Sequence, residues 1–234
     1  MYEELAGVLS RIPYAYPLRR RVVRTFRRFT GTASLQQAAK HSPIRLVIGA
    51  SGVCDRGWAR SDVEYLDITK EGDWQRFFRP ASIAAMLAEH VWEHLVPSDA
   101  SEGATLCYRY LKLGGYLRVA VPDGLHPDPS YIQHVQPGGT GPGAHDHKVL
   151  YSYRALSEHF QSVGFTVELL EYFDEAGTFH FNEWNPSDGF VHRSKRFDRR
   201  NANAAQIILH FSWTLISSIN DSRVSTGART RIST

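Results

Sequence analysis

Three groups of side chains in this 234-residue chain have the types and spacing to do chemistry. Glu89-His90 is followed four positions on by Glu93-His94. His145-Asp146-His147 comes just after a stretch rich in Gly, Pro and His. Arg193 to Asn201, RSKRFDRRN, gathers guanidiniums close to Asp188 and Asp198. An imidazole titrates near neutrality and can take a proton from a bound group, so His94 and His147 are candidate general bases. His145 and His147 are also candidates for holding an acceptor over a cleft. Guanidinium forks match carboxylates and phosphates, which makes Arg193 and Arg200 candidate substrate contacts. The alternative for those arginines is a loop paired internally with Asp188 and Asp198. Neighbouring loop side chains such as His145, Asp146 and His147 do not converge on an ion without a distant ligand, so no metal is expected.

The elements that must position these groups can be read from pattern. Pro43 introduces an apolar strand, Ile44 to Ile48, that ends in Gly49-Ala50-Ser51-Gly52. Short extended pieces are expected at Trp58 to Asp62 and Glu64 to Ile68, and a brief helix at Asp73 to Phe78. Ser82 to Ala88 reads as a buried parallel strand. A helix over Ala100 to Leu111 runs into Gly114-Gly115 and a strand from Leu117 to Val121, leaving through Pro122-Asp123. Gly124 to Gly143 is too long for a simple connector and reads as a functional loop or lid. A helix from Tyr153 to Val163, a strand from Phe165 to Phe173 and a last apolar strand within Ala205 to Ile219 complete the domain. Strand-helix alternation followed by late strands predicts a doubly wound α/β sheet.

Composition limits the alternatives. Two cysteines, Cys54 and Cys107, are too few for a disulfide framework or a structural zinc site, and a reducing, cytoplasmic setting is the default. There is no bilayer-length apolar run, and a glutamate-containing, then arginine-rich start does not read as a secretory signal. Net charge is +3, but Arg11, Arg19, Arg20, Arg21, Arg24, Arg27 and Arg28 occur with no acid among them, interleaved with Val22, Val23, Phe26 and Phe29. This predicts a basic amphipathic helix closed by Gly31, with a second short helix from Ser34 to Lys40. The basic helix packs on the main domain, or it meets an anionic membrane surface or polyanion through Arg19 to Arg28. No specific nucleic-acid partner is indicated. Residues 1–40 thus read as a basic helical extension, 41–220 as the domain, and 221–234 as a disordered tail.

Three segments in order carry a family resemblance: EHVWEHL from Glu89, YRYLKLGGYLRVAVPD from Tyr108, and SYRALSEHFQSVGF from Ser152. Together they resemble class I S-adenosylmethionine (SAM)-dependent methyltransferases, in particular a predicted small-molecule, UbiE-like branch, over roughly residues 45–173. GWARSD around Asp62, and the late residues Asp188, Gly189, Arg193, Ser194, Asp198, Arg200 and Asn201, are similar to the same branch. The resemblance implies a Rossmann-like, doubly wound seven-stranded sheet with a late antiparallel strand pair, with SAM as cofactor. It implies cofactor contacts from Gly49, Ser51 and Gly52 after the first strand, from Asp62 to the ribose hydroxyls, and from Asp67 and Ile68 near the adenine. It places Glu89 and His90 at the cofactor's amino-acid end, and turns Asp123 toward the acceptor side.

The expected activity is methyl transfer to oxygen or nitrogen of a polar small-molecule or glycan-type acceptor. GASG replaces the family's glycine pattern, and Leu113 stands where the family has proline. These departures motivate an alternative, a degenerate methyltransferase fold that serves as a membrane- or polyanion-associated binding module. An NAD-dependent Rossmann enzyme fits less well, because G-x-G-x-x-G is absent.

Overall fold

The computed structural model describes residues 16–50, 55–196 and 206–212, with the side chains of 16–24 and 27 left undescribed. The elements are α1 (Tyr16–Ala38), β1 (Ile44–Ile48), β2 (Ala59–Arg60), α2 (Glu71–Gln75), β3 (Ile83–Glu89), α3 (Pro97–Tyr110), β4 (Leu111–Pro122), α4 (Pro129–Val135), α5 (Tyr153–Val163), β5 (Thr166–Phe173), β6 (Phe179–Phe181) and β7 (Gln206–Ser212). They build one seven-stranded sheet in the order β2-β1-β3-β4-β7-β5-β6. β2, β1, β3 and β4 are parallel, whereas β7 runs antiparallel to both β4 and β5. The chain winds outward from β1 to β2, then crosses back to β3 and β4. This is the expected Rossmann-like, doubly wound seven-stranded sheet with its late antiparallel strands.

Alternation assigns each strand residue to a face. Leu46, Ile48, Met86, Ala88, Leu117, Val119, Val121, Leu209 and Phe211 point into the larger core with Trp74, Trp92, Leu156 and Phe160. Helix α3 presents Ala100, Ala104 and Cys107 to that core. Helix α5 starts at Ser152, whose hydroxyl accepts the Ala155 N–H, and stops at Gly164. On the opposite face Val47, Ala85, Leu87, Ala120 and Ile208 pack with Trp58, Trp184 and Val191. Most of that cover comes from an irregular segment, residues 182–196.

Three local expectations are corrected. The arginine-rich helix does not stop at Gly31, and no second helix begins at Ser34: α1 is continuous to Ala38. Gly31 is required because Tyr65 lies against its backbone, where a Cβ would overlap the ring. Glu64 to Ile68 is not a strand, because Tyr65 N–H and Leu66 N–H both turn back onto the Asp62 carbonyl. The sheet reaches seven strands through the β5–β6 hairpin instead. Finally, Gly114-Gly115 lies inside β4, opposite a register shift between Ile83 and Ala85.

Candidate functional site

The crevice of a doubly wound sheet lies outside the strand C-termini where the winding reverses. Here that point falls between β1 and β3. A cleft of about 310 Å³ opens there, with Gly49 and Ala50 at the end of β1 and Glu89 and His90 at the end of β3. Asp55 and Trp58 form one wall, and Phe190, His192 and Arg193 form the roof. Gly49 adopts φ 65°, and a Cβ there would come within 2.7 Å of Val91 Cγ2, so this turn is shaped by packing on the β3 exit. Ala50 is shared with a second recess of about 240 Å³, which holds Ser61 and Asp62 and is walled by Thr30, Gly31 and Ser34 of α1. Asp62 Oδ1 accepts the Val63 N–H at 2.9 Å, which fixes its carboxylate at the β2 exit.

The roof is held by charged groups on three strands. The Glu89 carboxylate accepts the His192 and Arg193 N–H groups, each at 2.9 Å. Arg118 of β4 is buried, donates to the carbonyls of Asn185 and Gly189, and stacks its guanidinium 4.6 Å from the Trp184 ring centroid. Glu171 of β5 is fully buried and accepts from Trp184 Nε1 at 3.0 Å and Ser194 Oγ at 2.6 Å.

His90 sits where these parts meet. It has φ 57°, a conformation costly outside glycine and held here because its N–H donates to the Ala120 carbonyl at 2.9 Å. Its Nδ1 lies 2.6 Å from Glu93 Oε1, and its Nε2 lies 2.8 Å from an Arg193 guanidinium nitrogen and beside the Gln206 amide. Because Arg193 can only donate, Nε2 is the acceptor and Nδ1–H donates to Glu93. Glu93 is 1 % exposed and also gathers His94 and His147, three residues whose available ligand atoms lie within 4.8 Å of one another. The rings of His94 and His147 meet edge to face at 4.7 Å.

Other expected site residues lie elsewhere. Asp123 does not face the acceptor side. It is fully buried, its oxygens accept the Leu125 N–H at 2.9 Å and the Phe173 N–H at 2.7 Å, and it ties the end of β4 to β5. Burial pushes its carboxyl up to about 6. Asp67 closes a local turn, accepting from Thr69 N–H and Oγ1 and pairing with Lys70 at 2.6 Å, while Ile68 is buried in the core. These residues are occupied by structure and present nothing to the cleft. His145 is exposed on the loop before His147. Ser51, Gly52 and Arg200 lie outside the described residues, as do the side chains of Arg19, Arg20, Arg21, Arg24 and Arg27. Arg28 is described and exposed, beside an exposed Phe29. No helix among the described residues is long and apolar enough to cross a membrane.

Sequence reasoning missed Glu93 as a site residue, and missed Arg118, Glu171 and His192 altogether. For Arg118 and Glu171 a signal existed. Each places a formal charge at a sheet-facing position in an otherwise apolar strand, YLRVAV and LLEYF, and buried charge demands a partner. His192 carried no such signal, because the roof depends on an irregular chain path.

No family model matches the chain, and no curated protein matches it. Among solved structures it is similar to a SAM-dependent methyltransferase, possible histamine N-methyltransferase, from Thermotoga maritima, at 14% identity over 82% of this chain and 96% of that one, with a TM-score of 0.43. It is similar to a SAM-dependent methyltransferase from Archaeoglobus fulgidus at 16% identity over 86% and 100% of the two chains, TM-score 0.42. A phosphoethanolamine N-methyltransferase 2 from Haemonchus contortus in complex with SAM shares 14% identity over 78% and 51%, TM-score 0.38. The fold assignment itself rests on the strand order and the reversed β7.

Proposed function

We propose that this chain catalyses methyl transfer from SAM to oxygen or nitrogen of a polar small-molecule acceptor. The observation that carries the reading is the cleft at the β1/β3 reversal, in a sheet whose β7 runs against its neighbours. The donor set there fits a cationic sulfonium cofactor with an amino-acid end and a ribose. Carboxylates stand at Asp55 and Glu89 in the cleft and at Asp62 in the adjoining recess, and the small Ala50 lines both spaces. SAM supplies an electrophilic methyl group, and what remains for the protein is to hold the acceptor in line and take its proton.

In this reading Asp62 takes the ribose hydroxyls and the backbone of Gly49-Ala50 supports the cofactor between the two spaces. His90 is the proton acceptor. Its Nδ1–H is fixed on Glu93, which leaves the Nε2 lone pair turned to the cleft, where Arg193 and the Gln206 amide now meet it. An acidic acceptor would draw that guanidinium to itself, and the exposed His192 and Arg193 give the roof the chemistry for a polar or anionic molecule. Titration calorimetry with S-adenosylhomocysteine tests the reading. Saturable binding that Asp62→Ala weakens by about tenfold or more supports it, a loss of at least 1.4 kcal/mol. A folded protein that binds neither SAM nor S-adenosylhomocysteine removes it.

A further inference from the structure

Beneath the cleft, Glu93, His94 and His147 converge from two distant parts of the chain. Glu93 and His94 follow β3, whereas His147 comes from the loop after α4. The two parts are locked together by backbone: Lys148 N–H donates to the Glu93 carbonyl at 2.6 Å and Val149 N–H to the same oxygen at 3.3 Å. Each of the three side chains offers one ligand atom, and all three atoms lie within 4.8 Å of one another.

Two further observations point to what belongs among them. The Glu93 side chain is 1 % exposed, its Oε1 meets His90, and its Oε2 is buried with no hydrogen-bond partner. A buried carboxylate oxygen left without a donor is costly, and the usual compensation is a proton donor or a cation. No donor is there. The second observation concerns the imidazoles. His147 Nδ1 lies 2.6 Å from the Val135 carbonyl, which must accept, so Nδ1 carries the proton and Nε2 holds a lone pair. His94 Nδ1 lies 3.6 Å from Asp146 Oδ2. An imidazole anchored through one nitrogen to a carbonyl, as His147 is, is arranged as a metal ligand with the other nitrogen free to bind, and His94 stands at ion-pair distance from its carboxylate.

We propose that Glu93, His94 and His147 form a binding site for one divalent transition-metal ion, of the zinc class. Two imidazole nitrogens and one carboxylate oxygen are a borderline, mixed N/O set that suits zinc better than magnesium or calcium. Three protein ligands leave a fourth position open, as in catalytic rather than structural zinc sites. The expectation of no metal rested on the lack of a distant ligand for His145-Asp146-His147, and the fold supplies that ligand in Glu93 and His94. The site does not depend on the methyl-transfer reading. It touches the cleft through the Glu93–His90 hydrogen bond, so a cation there would act on the same imidazole.

The test uses the full chain, stripped with chelator and dialysed against zinc, with bound metal counted by mass spectrometry and cobalt(II) absorption read on the same protein. The expected result is about one zinc per chain, a cobalt visible spectrum of a low-coordinate N/O site, and a rise in Tm on adding zinc. His94→Ala, a half-exposed position whose circular dichroism should match the parent, and His147→Asn should each weaken zinc binding by about 100-fold or more. Glu93→Gln should do the same. The proposal is overturned if the folded parent holds less than about a tenth of an equivalent, or if zinc binding survives in a folded His94→Ala/His147→Asn double variant. S-adenosylhomocysteine binding is measured in parallel, so that failure of the metal site and failure of the cofactor reading are told apart.

Discussion

Glu171→Gln is the sharpest test of how the cleft keeps its roof. Glu171 is a fully buried carboxylate that accepts from Trp184 Nε1 at 3.0 Å, from Ser194 Oγ at 2.6 Å and from Arg196 N–H at 3.4 Å. Glutamine keeps the volume and one carbonyl oxygen, which can still accept from Trp184 and Ser194. Each bond then falls from a charge-assisted to a neutral one, a loss of about 1 kcal/mol apiece. The new amide places a donor against the Arg196 N–H. Relief from burying a charge works in the opposite direction, but the carboxylate is met by three donors, so the hydrogen-bond term should win. The net loss is then about 2 kcal/mol. For a chain of this size that lowers Tm by roughly 4–8 °C. Where opening is local, amide exchange at Trp184 to Ser194 accelerates about 30-fold, since 2 kcal/mol is a factor of that order. Thermal unfolding by circular dichroism gives the first number, and exchange mass spectrometry of the 182–196 peptides gives the second. A variant as stable as the parent, with unchanged exchange in those peptides, would refute the claim that Glu171 holds the roof.

Three more perturbations probe separate parts. His210 stacks on Tyr116 at 4.7 Å, and burial, with the Arg118 charge, depresses its pKa from 6.5 to about 4. It is neutral in the fold, so its contribution of about 3 kcal/mol is full above pH 6.5 and is lost as pH falls toward 4. Asp123 has the opposite sign: its pKa is raised from 3.8 to about 6, so stability falls by about 3 kcal/mol as pH rises through that window. The two should largely offset one another in the parent, and His210→Phe should expose the Asp123 slope as a Tm that climbs on acidification from pH 6.5 to 4; parallel parent and variant profiles would dismiss the assignment. Gly49→Ala combines φ 65° with a 2.7 Å approach to Val91 Cγ2 and should cost about 1–3 kcal/mol in urea unfolding. His90→Gln should retain S-adenosylhomocysteine affinity within about threefold while kcat falls by about 100-fold or more, once an acceptor is known; an unchanged kcat would take the proton-acceptor role from His90.

The parts of this fold legible in sequence were those governed by short-range pattern. Ile44 to Ile48, Ser82 to Ala88 and Tyr153 to Val163 were located to within a residue or so, because alternation, apolar runs and the Ser152 and Gly164 caps act locally. What failed was decided by tertiary contact. Gly31 looks like a helix stop on propensity alone, but its lack of a side chain serves Tyr65, which is more than thirty positions away in sequence. Asp123, at the exit of an apolar strand, looks like a crevice acid. It is taken instead by the Phe173 and Leu125 amides, and no local pattern reports which backbone groups will need an acceptor. At the site, the histidines were recognised by type, but their grouping was not. His147 reaches His94 only because Lys148 and Val149 hydrogen-bond to the Glu93 carbonyl.

The chemistry of the cleft concentrates under residues 182–196. Arg118, Glu171 and Glu89 are charges on strands, and each is directed to residues 182–196. A face covered by apolar helix would not need them. They are present because an irregular segment brings carbonyls and amides onto the sheet, and buried backbone groups must be matched. The roof that results carries His192 and Arg193 to the cleft, and Arg193 reaches His90. His90 in turn holds Glu93, the residue at the head of the three-ligand cluster. One imidazole therefore touches roof, cleft and cluster. It follows that loosening the roof through Glu171 and removing the cluster's ligands through His94 should both disturb the placement of the His90 ring. NMR chemical shifts of the His90 imidazole in the two variants measure that directly, and shifts identical to the parent's in both would mean that the three parts are neighbours and nothing more.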